Sequence, residues 1–168
     1  AQRGGWVRYG DELHEEQALL RTFIDPAQKA GHGVHVKNLY NSYVYFWRWA
    51  LWKVFEQAES PGIVGFITAS SYLRGPGFIG MREQMRRIFD DLWIIDLGGD
   101  NLGPRKTPNV FAIQTPVAIA IGARYGSPRP DTPANVHYCS LVEGTRDEKL
   151  ARLDSVEDFS SLQWEPAM

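Results

Sequence analysis

The chain has 168 residues, 43% hydrophobic and 23% charged, which fits one domain of ordinary size and excludes a chain disordered throughout. Its formal net charge of −2 lacks the basic surplus usual in a nucleic-acid binder, so any such contact rests on a local patch. The single cysteine, Cys139, excludes an intramolecular disulfide and suits a reducing compartment, and no apolar run approaches the roughly 18 residues that span a bilayer, so a cytoplasmic protein without a membrane partner is expected.

The sequence begins Ala1-Gln2-Arg3-Gly4-Gly5, without a methionine, which reads as a fragment or a processed chain. Leu13, Leu19, Leu20 and Phe23 among acids predict a short helix over Glu12–Phe23. Asp25-Pro26 and Gly31-His32-Gly33 are expected to break regular structure, leaving Ala27–Lys37 as a flexible, mildly basic loop. From Leu39 to Ala58 there is no Gly or Pro, and Leu39, Tyr43, Phe46, Ala50 and Val54 recur at helical spacing. Asn38 or Asn41 is the expected cap of this helix, and Ser60-Pro61-Gly62 its stop. Its apolar residues cover most of the circumference, which predicts burial on more than one side.

Ile63–Thr68 is a short continuous apolar run, the pattern of a strand covered on both faces. Phe78–Phe89 predicts a helix with Phe78, Met81, Met85, Ile88 and Phe89 on one face; Arg82, Arg86 and Arg87 lie off it and read first as a solvated face, second as phosphate contacts. Asp90-Asp91 reads as a solvated helix end. Leu92–Leu97 predicts a second strand, Val117–Ile121 a third, Asn135–Val142 a fourth, and Asp147–Leu153 a short helix. The first two strands flank a helix and should be parallel. The second and third are joined by a segment too broken for a crossover helix and should be antiparallel. The expected organisation is a segment over residues 1–37, an α/β unit over 38–142 and a tail over 143–168.

"WIIDLGGDNLGP", from Trp93 to Pro104, looks at first like a nucleotide-binding strand and loop. A dinucleotide fingerprint needs G-x-G-x-x-G opening a helix, yet the glycines stand at 98, 99 and 103, and the following "PRKTPNVF" holds two prolines. A methyl-donor loop of the acid-x-Gly-x-Gly kind needs glycine where Asp100 stands. The expected structure is a plain turn after a strand. The four histidines share no ligand spacing and Cys139 has no CxxC partner, so no metal site is expected.

The run "NLYNSYVYFWRWALWKVFE", then "GIVGFITASSYL", "FIGMREQM" and "IIDLGG…NVFAIQTPVAI" resembles the adenine-N6-specific DNA methyltransferases, in particular those of single-chain restriction–modification enzymes. The match covers residues 37–124, about half the chain, and rests on the order of the motifs rather than on any one. It implies a Rossmann-like, S-adenosylmethionine-dependent methyltransferase sheet ending in an antiparallel pair, and methyl transfer from S-adenosylmethionine to the N6 of an adenine flipped out of DNA. The family's Asn/Asp-Pro-Pro-aromatic loop is absent, since the chain has no Pro-Pro dipeptide, and its glycine-rich donor loop is absent too. The resemblance therefore implies the C-terminal half of a methyltransferase domain, inactive by itself, with no catalytic residue in this chain. DNA and the remainder of the domain are the implied partners, and self-association, or residues 1–36 folding over an exposed sheet edge, is expected.

Few site residues carry over. Asn38, Leu39 and Tyr40 match a segment that borders the family's methyl-donor pocket; the plain alternative is a helix cap with core packing. Phe111 matches an aromatic that packs on the flipped adenine; the alternative is a buried strand-edge phenylalanine. Thr68, Ala69 and Ser70 end a strand where α/β ligand crevices form, or make a plain turn. Arg105 and Lys106 read equally as DNA-backbone contacts or a solvated loop. A non-catalytic interaction or scaffolding module built on a methyltransferase fold is the competing reading of the chain. An unrelated nucleotide-binding α/β enzyme is disfavoured by the glycine spacing.

Overall fold

The computed structural model describes residues 5–10, 18–100 and 106–166. Five strands, β1 (Gly62–Ala69), β2 (Asp91–Gly98), β3 (Val117–Arg124), β4 (Asn135–Ser140) and β5 (Glu165–Pro166), form one sheet in the order β1-β3-β2-β4-β5. β3 lies between β1 and β2 and runs antiparallel to both, so β1 and β2 are parallel to each other without pairing. The expected antiparallel pairing of the second and third strands therefore forms. β4 is the expected fourth strand and pairs parallel to β2 on its other side. The result is a mixed α/β sheet.

The helices are α1 (Gly5–Tyr9), α2 (Arg21–Lys29), α3 (Ser42–Leu51), α4 (Ile79–Ile88) and α5 (Arg146–Asp154). α3 starts where the Asn41 side chain accepts from the Tyr43 amide, which leaves Leu39 outside it in a 3-10 helix over Gly33–Leu39. At its end the chain widens into a π turn over Trp52–Glu56, and Arg48, 2% exposed, meets Glu56 through two bonds of 2.9 and 2.7 Å.

The N-terminal expectations need correcting. The helix there is α2, starting at Arg21, rather than one over Glu12–Phe23; residues 11–17 lie outside the described residues. Asp25-Pro26 does not break it, because burial of Phe23, Ile24 and Ala27 outweighs the single hydrogen bond that Pro26 removes. The expected loop at Ala27–Lys37 is instead the end of α2 and most of the 3-10 helix.

Strand alternation splits the core in two. Leu92 and Ile94 point to the face carrying α3 and α4, where Phe23, Trp47, Tyr72, Met81 and Phe89 fill the larger core. Ile95 and Leu97 point to the other face, with Val110, Cys139 and Leu141 under Leu153, Leu162 and Trp164. This second layer does not extend to β1: Ile63 and Ile67 are 70% and 55% exposed. Of the described N-terminal elements, α1 packs on α3 and α2 on α4, beside the sheet's helical face rather than along the free edge of β1.

Candidate functional site

Of the Trp93–Pro104 stretch, the part up to Asp100 forms a strand end and a tight turn, and residues 101–104 lie outside the described residues. β2 carries a bulge between Asp96 and Gly98, and Gly98 and Gly99 take φ of +62° and +92°. Such backbone favours glycine. What the turn approaches is the chain's own loop. Thr107 Oγ1 accepts from the amides of Gly99 (2.9 Å) and Asp100 (3.2 Å), and Asn109 Nδ2 donates to Gly99 O (3.1 Å). A Cβ on Gly99 would overlap the Asn109 side chain. Gly98 and Gly99 thus serve loop packing.

Asn109 also builds the loop that follows. Its Nδ2 donates to Thr115 O (2.8 Å) and its Oδ1 accepts from the Phe111 amide (2.9 Å). These bonds pinch residues 111–115 into a projecting lobe, with Phe111 47% and Ile113 48% exposed. The strand-edge burial weighed for Phe111 is not what forms.

Below the lobe, at the C-terminal ends of β1, β2 and β4, lies a cleft of about 490 Å³. Such strand ends are where α/β folds form ligand crevices. Ser70, Arg74, Asp96, Thr107, Pro116 and Tyr138 are among the residues lining it. Asp96, 4% exposed, accepts from the Gly98 amide (3.0 Å) and from the Tyr138 hydroxyl (2.8 Å). Arg74 donates to the Tyr138 hydroxyl (3.3 Å) and stands 3.7 Å from the Asp96 carboxylate. Burial, then the bond to Asp96 and its charge, push the Tyr138 phenol up to about 12. Each oxygen of the carboxylate thus accepts from a protein donor, and the cleft lining also carries hydroxyls, the largely exposed Arg74 guanidinium and the acids Asp100 and Glu143. Among the described residues no group of three or more His, Cys, Asp or Glu converges as a metal site.

The structure brings together some of the residues singled out from sequence. Thr68 and Ala69 end β1, and the Ser70 amide donates to Pro116 O (2.9 Å), so this corner abuts the loop that carries Phe111. Lys106 is exposed beside Thr107, and Arg105 lies outside the described residues. Asn38, Leu39 and Tyr40 stand apart from the cleft lining: Leu39 is fully buried in the core, and Tyr40 lies under the Arg8 guanidinium, 4.2 Å from its ring centre.

Of the arginines expected on a solvated face, Arg86 and Arg87 are exposed, whereas Arg82 is structural, as are Asp90 and Asp91. Arg82 donates to Tyr72 O (2.7 Å) and Gly75 O (2.8 Å). Asp90 accepts from the Tyr125 amide (2.8 Å) and from Arg129, while Asp91 pairs with His137 at 2.7 Å. Asp96, Tyr138 and Asn109 were missed by sequence reasoning. A lone acid inside an apolar strand was the available signal for Asp96, because a buried carboxylate needs several donors.

No protein-family model and no curated protein matches the sequence. Among solved structures, the chain is similar to a nuclease-deletion mutant of the Type ISP restriction–modification enzyme LlaGI in complex with a DNA substrate mimic (26% identity, TM-score 0.72, 92% of this chain). It is also similar to the ATP-dependent Type ISP restriction–modification enzyme LlaBIII bound to DNA (23%, 0.72, 87%) and to the DrdV–DNA complex (23%, 0.67, 86%). The chain spans 15%, 10% and 15% of those three chains, respectively. Its fold is therefore one that recurs within large restriction–modification enzymes.

Proposed function

We propose that this chain is the base-facing half of an adenine-N6 DNA methyltransferase domain in a restriction–modification enzyme. The observation that carries the reading is Phe111, held exposed on a lobe pinched by Asn109 at the C-terminal end of the sheet. An exposed aromatic on a braced loop is a stacking platform for an extruded base. The DNA in the similar complexes supports the same reading. Thr68, Ala69 and Ser70 floor the platform, and Lys106 with Arg105 meets the DNA backbone. S-adenosylmethionine and the Pro-Pro catalytic loop belong to the remainder of the domain, which docks on the free edge of β1; Asn38, Leu39 and Tyr40 then border the donor pocket. This chain's own part is to hold the base, not to transfer the methyl group.

The test is binding to short duplexes that carry an adenine either paired or mismatched, since an unpaired base costs less to extrude. The mismatched duplex should bind tighter by a factor on the order of ten, the scale of one base–aromatic stack. Phe111→Ala should erase that preference and leave paired-duplex binding unchanged. Equal binding of the two duplexes, or a preference that survives Phe111→Ala, would favour a non-catalytic interaction module instead.

A further inference from the structure

The loop bearing Phe111 is held from outside by α5. Lys149 Nζ donates to Leu97 O, at the end of β2, and to Pro108 O, both at 2.7 Å. One turn earlier, Arg146 Nε donates to Val110 O (3.0 Å), the carbonyl next to Phe111. Lysine is almost never fully buried, yet Lys149 is 0% exposed. Its ammonium is disfavoured by that burial, so only strong local partners justify the position. Here the partners are two main-chain carbonyls on opposite sides of the glycine turn.

α5 itself is fixed. Thr145 and Glu148 form a reciprocal capping box at its start, with the Thr145 amide donating to Glu148 Oε2 (2.7 Å) and the Glu148 amide to Thr145 Oγ1 (3.3 Å). At its other end Leu153 packs on the cluster of Ile95, Leu97 and Cys139. The helix is thereby tied to the sheet, and through two cationic side chains it grips the lobe.

We propose that α5 is a positioning clamp, with Lys149 and Arg146 fixing the orientation in which Phe111 is presented to an extruded base. The clamp's purpose rests on the methyltransferase reading; its existence does not. Neither residue touches the base. Both act through the backbone of residues 108–111, and α5 thus belongs functionally with the α/β unit rather than with a passive tail.

The experiment places p-fluorophenylalanine at position 111 or, as a control, at position 89, and records fluorine NMR of this chain. The unsubstituted clamp should give one narrow resonance from each probe. Lys149→Met, which keeps the stem and loses the donors, should shift and broaden the probe at 111 and leave that at 89 in place. Arg146→Met, at a largely exposed side chain that folding tolerates, should shift the probe at 111 less; Arg146→Lys, which keeps a donor, should restore it. A probe at 111 indifferent to both Lys149→Met and Arg146→Met overturns the clamp. So does a parallel disturbance at 89, which would make Lys149 a support of the whole fold. The same variants should lose the preference for the mismatched duplex. If the fluorine probe responds while the unsubstituted chain shows no such preference, the clamp stands and the base-stacking reading falls.

Discussion

At Gly99, φ of +92° and the Asn109 side chain beside it leave no room for a Cβ. Gly99→Ala should therefore cost about 1–3 kcal/mol from backbone strain alone, read as a drop in urea midpoint. The penalty should be smaller in an Asn109→Ala background, because the overlapping carboxamide is gone; equal penalties in both backgrounds would remove Asn109 from the account. Tyr138 makes a second prediction. Its phenol, like that of Tyr43, is pushed up to about 12, so the folded state favours the neutral form. That contribution is complete below the ordinary value of 10 and is lost as pH rises from there through 12. Stability should thus decline between pH 10 and 12, and Tyr138→Phe should flatten the decline, measured by denaturation midpoints alongside phenolate absorbance. A decline that Tyr138→Phe leaves unchanged would contradict it. Of these residues Gly99 was legible in the sequence, as part of a turn that follows a strand. Asn109 and Tyr138 act through partners 10 and 42 residues away, which no local pattern reveals.

Elements were read well where burial imposes a period. β1, β2, β3 and α4 match their expected spans closely because the strands are short apolar runs and the apolar residues of α4 recur at helical spacing against the core. α2 was missed because Pro26 signals a break that tertiary burial overrides. The π turn at Trp52–Glu56 was hidden inside a continuous helical pattern. Two elements keep an apolar surface with no described cover: Phe46 and Trp49 on α3 are 61% and 43% exposed, and Ile63 and Ile67 on the edge strand β1 are both more than half exposed. An edge strand and an aromatic face left open favour association. The chain should therefore self-associate in sedimentation experiments at micromolar concentration. Phe46→Glu with Ile63→Lys should shift it to monomer without changing helix content. A monomeric unsubstituted chain would show that those surfaces tolerate water as they are.

At the scale of the whole molecule, the β1-β3-β2 order with β3 antiparallel between two parallel strands is the frame on which the reading rests. Strand directions followed from connection lengths, but the insertion of β3 between β1 and β2 did not, because sequence periodicity carries no information on lateral order. The clamp by α5 was equally invisible, since Lys149 reads as an ordinary surface lysine on a charged helix. No helix among the described residues is long and apolar enough to cross a membrane. Under the proposed function, labour is divided between this chain, which would hold the base, and a remainder that would bring the methyl donor and the catalytic loop. The most direct test of this division is transfer of a labelled methyl group from S-adenosylmethionine to DNA adenine, by the chain alone and by the chain joined to a polypeptide that carries a glycine-rich donor loop and a Pro-Pro catalytic loop. The account predicts N6-methyladenine only with the joined polypeptide, reduced at least tenfold by Phe111→Ala. Turnover by the chain alone, or full activity of the joined protein without Phe111, would contradict it.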